Sequence, residues 1–205
     1  MARNDFLAEC IENFEQKWLC VFLIDVSVLM EKDSLKELDK KLQDLRQSLL
    51  EDPLGQKAEL CVITFGQGVQ ILQEPSLAES FKIPLLDIYY NHNKALDNAV
   101  HTAVDIIEKR KCWYKDTGQA FYRPLLVLVT NKLVNEELFY RNSCIRDDVS
   151  ARKFDFLNVG MNGDSLFAKK DEILIRQKED RSLFQMLFHV WDSQIDHCED
   201  VLILE

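Results

Sequence analysis

Asp25 and Ser27 are the residues of this 205-residue chain best placed to do chemistry. They close the run Trp18-Leu-Cys-Val-Phe-Leu-Ile-Asp25-Val-Ser27-Val-Leu29, in which an unbroken apolar stretch leads into a carboxylate and a hydroxyl follows two positions later. Such a stretch reads as a buried strand. A carboxylate at the carboxyl end of a buried strand lies where open α/β sheets gather their ligands. Two oxygen-bearing side chains at that place can hold a hard cation or accept hydrogen bonds, and an aspartate can also attack phosphorus.

Two other stretches carry reactive or recognising side chains at corresponding places. Tyr89-Tyr90-Asn91-His92-Asn93-Lys94 precedes a helical pattern, and Asn131-Lys132 follows the apolar run that ends on Thr130. Paired tyrosines on a loop can anchor a protein interface, or pack as a strand edge. The same two readings apply to Trp113-Tyr114 with Phe121-Tyr122. His92 is the one histidine near these loops; His101 and His189 fall on helical patterns, and His197 with Cys198 lacks a second pair at metal-ligand spacing. No Ser-His-Asp or Cys-His arrangement can be assigned, and no glycine-rich phosphate loop is present.

The elements that must position these side chains are legible in the pattern. Phe6, Leu7, Cys10, Ile11 and Phe14 predict a short amphipathic helix over 5–16. Strand one follows from Trp18 to Ile24. Ser34 with Glu37 reads as a capping box, and Leu35, Leu38, Leu42, Leu45 and Leu49 make one apolar stripe that ends at Asp52-Pro53-Leu-Gly55. Strands are expected at 58–65, at 69–72 after Gly66 and Gly68, at 123–130 and at 153–159, with a loop around Pro75 and Pro84. Leu96, Val100, Ala103, Val104 and Ile107 predict a helix over 95–114 closed by Gly118, and a last helix is expected over 181–195. Alternation of strands and helices in this order implies an α/β fold of three layers, a mostly parallel central sheet with helices on both faces.

Composition narrows the function. A formal net charge of -10 and a pI near 5.0 argue against a nucleic-acid partner, which needs a clustered positive surface. The short basic groups Lys40-Lys41, Lys109-Arg110-Lys111 and Lys169-Lys170 sit among acids and read as solvated faces. Six scattered cysteines without a C-x-x-C pair favour a reducing, cytoplasmic setting. Neither a signal core nor a spanning segment of about 20 apolar residues is visible, so neither secretion nor a membrane is expected.

With those motifs in order, the chain resembles a von Willebrand factor A (vWA) domain of the compact bacterial kind related to tellurite-resistance proteins. The resemblance spans residues 17–195 and rests on several motifs together. These are the strand into Asp25-Val-Ser27, the run Val62-Ile-Thr-Phe65-Gly66, Ala95-Leu96 opening a helix, Tyr122-Arg123-Pro124 leading into Leu-Leu-Val-Leu-Val-Thr130, and Phe154-Asp-Phe-Leu-Asn-Val-Gly160. It implies a Rossmann-like vWA domain over 17–205 behind an N-terminal helical extension over 1–16.

The resemblance also implies a metal-ion-dependent adhesion site, in which an Asp-x-Ser-x-Ser loop, a threonine before the central helix and an aspartate after the next strand surround Mg²⁺. Asp25 and Ser27 match the first loop, but Leu29 stands at its second serine, Lys94 at the threonine and Asn131-Lys132 at the aspartate-glycine pair. A lysine offers only donors, and neutral oxygens gain little against the hydration of Mg²⁺. No cofactor is expected. Three readings of Asp25 stand side by side: an ion pair with Lys94 in place of the metal, a cap on local backbone N–H groups, or residual metal binding through Asp25, Ser27 and Asn131.

The implied function is a non-catalytic protein-protein interaction module, a scaffold or adaptor with a degenerate, metal-free adhesion site, in a bacterial stress-response or defence system. Its contact surface would comprise Asp25, Ser27, Tyr90, His92, Lys94, Asn131 and Lys132, and its partner would be a protein. The alternative is an Mg-dependent vWA domain that recognises an acidic group. A haloacid-dehalogenase-like phosphotransferase is more remote, because that chemistry wants Asp-x-Asp where this chain has Ser27.

Overall fold

Alternation along the first strand decides how the layers form. The computed structural model describes residues 16–27, 32–66, 68–82, 86, 95–130, 143–162, 165–170, 173–175 and 187. In β1 (Trp18–Asp25), Trp18, Cys20, Phe22 and Ile24 face one side and Leu19, Val21 and Leu23 the other, and all seven are buried. A strand apolar on both faces needs a cover on each. Helix α1 (Lys32–Glu51) covers the first face with Leu35, Leu38, Leu42, Leu45 and Leu49. Helix α2 (Ala95–Asp116) covers the second with Ala99, Val100, Ala103, Ile106 and Ile107.

Between the helices lie β2 (Ala58–Phe65), β3 (Val69–Leu77), β4 (Leu125–Thr130), β5 (Asp155–Asn162), β6 (Ser165–Lys170) and β7 (Ile173–Ile175). With β1 they form one sheet in the order β3-β2-β1-β4-β5-β6-β7. Strands β2, β1, β4 and β5 run parallel, while β3 returns antiparallel on β2 and β6 and β7 continue antiparallel from β5. The chain leaves β1 toward β2, then crosses back through α2 to β4 on the other side of β1. The direction of winding therefore reverses between β1 and β4, where open α/β sheets form their binding crevice. This is the α/β three-layer fold expected from the sequence.

Several boundaries differ from the sequence reading. Helix α1 starts at Lys32, so Ser34 lies in its first turn rather than at its cap. Strand β3 runs to Leu77 through Pro75, where a loop was expected. A proline is tolerated there because β3 pairs on one side only among the described residues, and the register with β2 slips twice between Leu60 and Ile63. Strand β4 begins at Leu125, after Pro124, and β5 begins at Asp155 and runs on to Asn162. Helix α3 (Ser143–Ser150), β6 and β7 were not foreseen.

The expected N-terminal helix over 5–16, and with it the division at residue 16, lies outside the described residues but for Gln16. So does the last helix, except Leu187, which is helical and buried in the core on the α1 side.

Two glycines are required by the backbone. Gly118, at φ +71°, turns the chain out of α2. At Gly55 a Cβ would stand 2.6 Å from the Leu49 carbonyl oxygen, so the turn after α1 closes only on a residue without a side chain.

Candidate functional site

At the carboxyl end of the parallel strands, Asp25 pairs with Phe65 of β2. On the other side the register Ile24 with Val129, carried one residue further, brings Asp25 level with Thr130. The β1–β2 pairing continues past the strand, with Val26 N–H donating to the Phe65 carbonyl at 2.9 Å. Ser27 N–H then donates to Asp25 Oδ1 at 2.9 Å, an Asx-type turn that holds the carboxylate over its own loop. Gly66 sits against this turn, since a Cβ there would come within 3.3 Å of Ser27 N and of the Val26 carbonyl carbon. Asp25 and Ser27 are half-buried, and Thr130 is buried.

The structure thus places Asp25, Ser27 and Thr130 around the crevice between β1 and β4. Tyr90, His92, Lys94, Asn131, Lys132 and Leu29 lie outside the described residues. Of the three readings of Asp25, the local cap has a hydrogen bond on the described side of the site. As ligands for Mg²⁺, the described residues offer one carboxylate and two hydroxyls. These are oxygen donors of the kind a hard cation takes, and one of them carries a charge. Among the described residues, no group of three or more His, Cys, Asp or Glu comes together elsewhere. No helix among them is long and apolar enough to cross a membrane.

The opposite end of the sheet holds a charged cluster that sequence reasoning missed. Glu59, at the start of β2, is buried, and Arg110 of α2 donates to it twice, from Nε to Oε2 and from Nη2 to Oε1, both at 2.6 Å. The Tyr114 hydroxyl donates to Oε2 at 2.6 Å. The guanidinium also lies 3.9 Å from the ring centroid of Trp113. Burial works against the charge of Arg110, but its hydrogen bonds and attraction to Glu59 outweigh that, and its pKa is raised. Burial, then the charge of Glu59, pushes the Tyr114 phenol well above its ordinary range.

These positions correct the expectation that Lys109-Arg110-Lys111 forms a solvated face. Arg110 and Lys111 are buried, Arg110 because Glu59 demands a partner. The signal was present in Ala58-Glu59-Leu-Cys-Val-Ile, where one carboxylate interrupts an apolar strand. Tyr114 and Phe121, read as a contact patch or as packing, are packing: both are buried and their rings stack at 5.0 Å. Cys20 and Cys61 are likewise core residues whose thiols are pushed up, chiefly by burial.

No family model matches the chain, and no curated protein matches it. Solved structures to which it is similar include the D319A mutant of the PilB minor pilin from Streptococcus sanguinis, at 14% identity over 60% of this chain and 32% of that one, with a TM-score of 0.44. The vWF domain of the type V pili tip protein Mfa5 from Porphyromonas gingivalis is 14% identical over 58% of this chain and 39% of that one, with a TM-score of 0.44. The ArnB paralog VWA2 from Sulfolobus acidocaldarius is 16% identical over 60% of this chain and 29% of that one, with a TM-score of 0.38. In each case the chain spans well under half of the solved chain's length. The fold described above rests on its own strand order and layers.

Proposed function

We propose that this chain is a vWA-like, non-catalytic protein-interaction module whose adhesion-type site works without a metal ion. The observation that carries the reading is the Asp25 turn. A carboxylate stands at the winding reversal between β1 and β4, where a ligand would bind, yet one of its oxygens is committed to Ser27 N–H. The contact surface is the loop group of Asp25, Ser27, Tyr90, His92, Lys94, Asn131 and Lys132, and the partner is a protein. In this reading Lys94 supplies the positive charge that a metal would otherwise bring, and the protein acts as a cytoplasmic scaffold or adaptor, in a bacterial stress-response or defence setting.

Affinity capture with wild-type protein and Asp25→Ala, the bound proteins identified by mass spectrometry, tests the surface: a partner held by the first and lost by the second is the expected result. Calorimetric titration of Mg²⁺ tests the metal-free site, with no saturable heat expected. Micromolar binding that vanishes in Asp25→Ala would establish the metal-dependent alternative, which is favoured by the level placement of Asp25 and Thr130. Lys94→Thr removes the cation that stands in for the ion; unchanged stability and no gained Mg²⁺ affinity would refute that role. Phosphatase turnover abolished by Asp25→Asn would overturn the non-catalytic reading.

A further inference from the structure

A pocket of about 250 Å³ opens between the edge strand β3 and the carboxyl-terminal half of α2, lined by Glu74, Pro75, Ile106, Lys109, Arg110 and Trp113. Its β3 wall, Glu74 and Pro75, lies opposite Cys61 of β2 and so level with Val21 of β1, four residues and about 13 Å along that strand from Asp25. We propose that this pocket receives one large apolar side chain from an extended segment of a partner protein that carries a basic residue on one side of it and an acidic residue on the other.

Three observations carry the assignment. Its size is below the roughly 300–1,000 Å³ of small-molecule sites but ample for a single leucine or phenylalanine side chain. Its walls are Pro75, Ile106 and Trp113, while the one buried cation there, Arg110, is spent on Glu59 and fixed against Trp113. The lining also includes two opposite charges from different elements, the exposed Glu74 of β3 and the exposed Lys109 of α2, and neither has an ion pair among the described residues. That rim complements a segment carrying both signs.

Recognition here is by side chains rather than by strand addition. Pro75 removes a backbone donor, the two register slips distort the edge, and Gln73 Nε2 already donates to the Glu74 carbonyl at 3.2 Å. Along an extended segment, residues two apart share a face, which sets the pattern as basic-x-apolar-x-acidic.

The test follows the Trp113 indole N–H resonance by NMR in the full chain while the blocked peptide acetyl-Lys-Ser-Phe-Ser-Glu-amide is titrated. The resonance is expected to shift saturably. The same peptide with Ala in place of Phe should bind at least about tenfold more weakly, from the lost apolar burial. Glu74→Gln and Lys109→Gln, both at exposed positions, should each weaken the Phe peptide about threefold, as a surface ion pair allows. An unshifted Trp113 resonance, equal binding of the Ala peptide, or unchanged affinity in both variants overturns the proposal. The Asp25 surface is read by a different experiment, so failure here is distinct from failure there.

Discussion

Arg110 and Glu59 meet in the protein interior across 51 residues of sequence, joined by two hydrogen bonds of 2.6 Å. Geometry of this quality is what allows a buried ion pair to recover its desolvation cost. It pins the second half of α2 to the start of β2, and it orients Trp113 and Tyr114 around one guanidinium.

Removing one partner of that pair leaves the other as an uncompensated buried charge. Arg110→Met or Glu59→Gln is expected to lower unfolding free energy by about 3–5 kcal/mol. Glu59→Leu combined with Arg110→Leu should recover most of the loss, because no charge is then stranded. Tyr114→Phe, which deletes one bond to a carboxylate, should cost about 1.5–3 kcal/mol. Denaturant titration measures all three, and additive losses in the double variant would contradict the coupling.

Alkaline pH should weaken the fold through protons held in the core. Burial raises the pKa of Cys20, Cys61 and Tyr114, so the folded chain keeps these protons to higher pH than the unfolded chain. Their contribution is complete below the unfolded values, about 8.5 for a thiol and about 10 for a phenol. As pH climbs past those values, each group removes about 1.4 kcal/mol per pH unit. Unfolding midpoints should therefore be level near neutrality and fall above about pH 8.5, with a shallower fall in Cys61→Ala. An unaltered slope in that variant would remove Cys61 from the account.

The Asp25 turn predicts a modest local cost. Asp25→Ala loses the acceptor for Ser27 N–H and should destabilise by about 1 kcal/mol, while Asp25→Asn keeps a carbonyl acceptor and should cost less. Thermal unfolding of the two variants ranks them, and an equal loss in both would show that charge rather than hydrogen bonding holds the loop.

The glycines at the two helix exits differ in kind. Gly118→Ala meets no neighbouring atom and suffers only from φ +71°, a cost of about 1–2 kcal/mol. Gly55→Ala drives a Cβ against the Leu49 backbone at 2.6 Å, which neither partner can yield cheaply. Gly55→Ala should be the more damaging in denaturant titration, and the reverse order would mean that the turn after α1 relaxes.

Where one physical signal dominated, the sequence was enough. The leucine stripe of α1 and the apolar runs of β1, β2 and β4 reveal both layers and the position of Asp25, because burial on a fixed period leaves few alternatives. Strand β3 was cut short because Pro75 is a breaker except on an edge, and edge status belongs to the assembled sheet. Helix α3, β6 and β7 carry short or mixed patterns that gain their structure from neighbours. The Glu59–Arg110 pair was hidden for a related reason: each half looks like an ordinary charge until tertiary folding brings 51 residues of separation down to contact.

The place of β1 in the sheet also governs the order in which the chain can fold. Its partner on one side, β2, begins 40 residues after Trp18, but on the other side Cys20 meets Leu125, which lies 105 residues along the chain from it. During synthesis, this strand, buried on both faces in the finished sheet, must wait with one edge open, and closing so long a loop is slow. That open edge of β1 is covered when β4 emerges, and β4 in turn waits for β5.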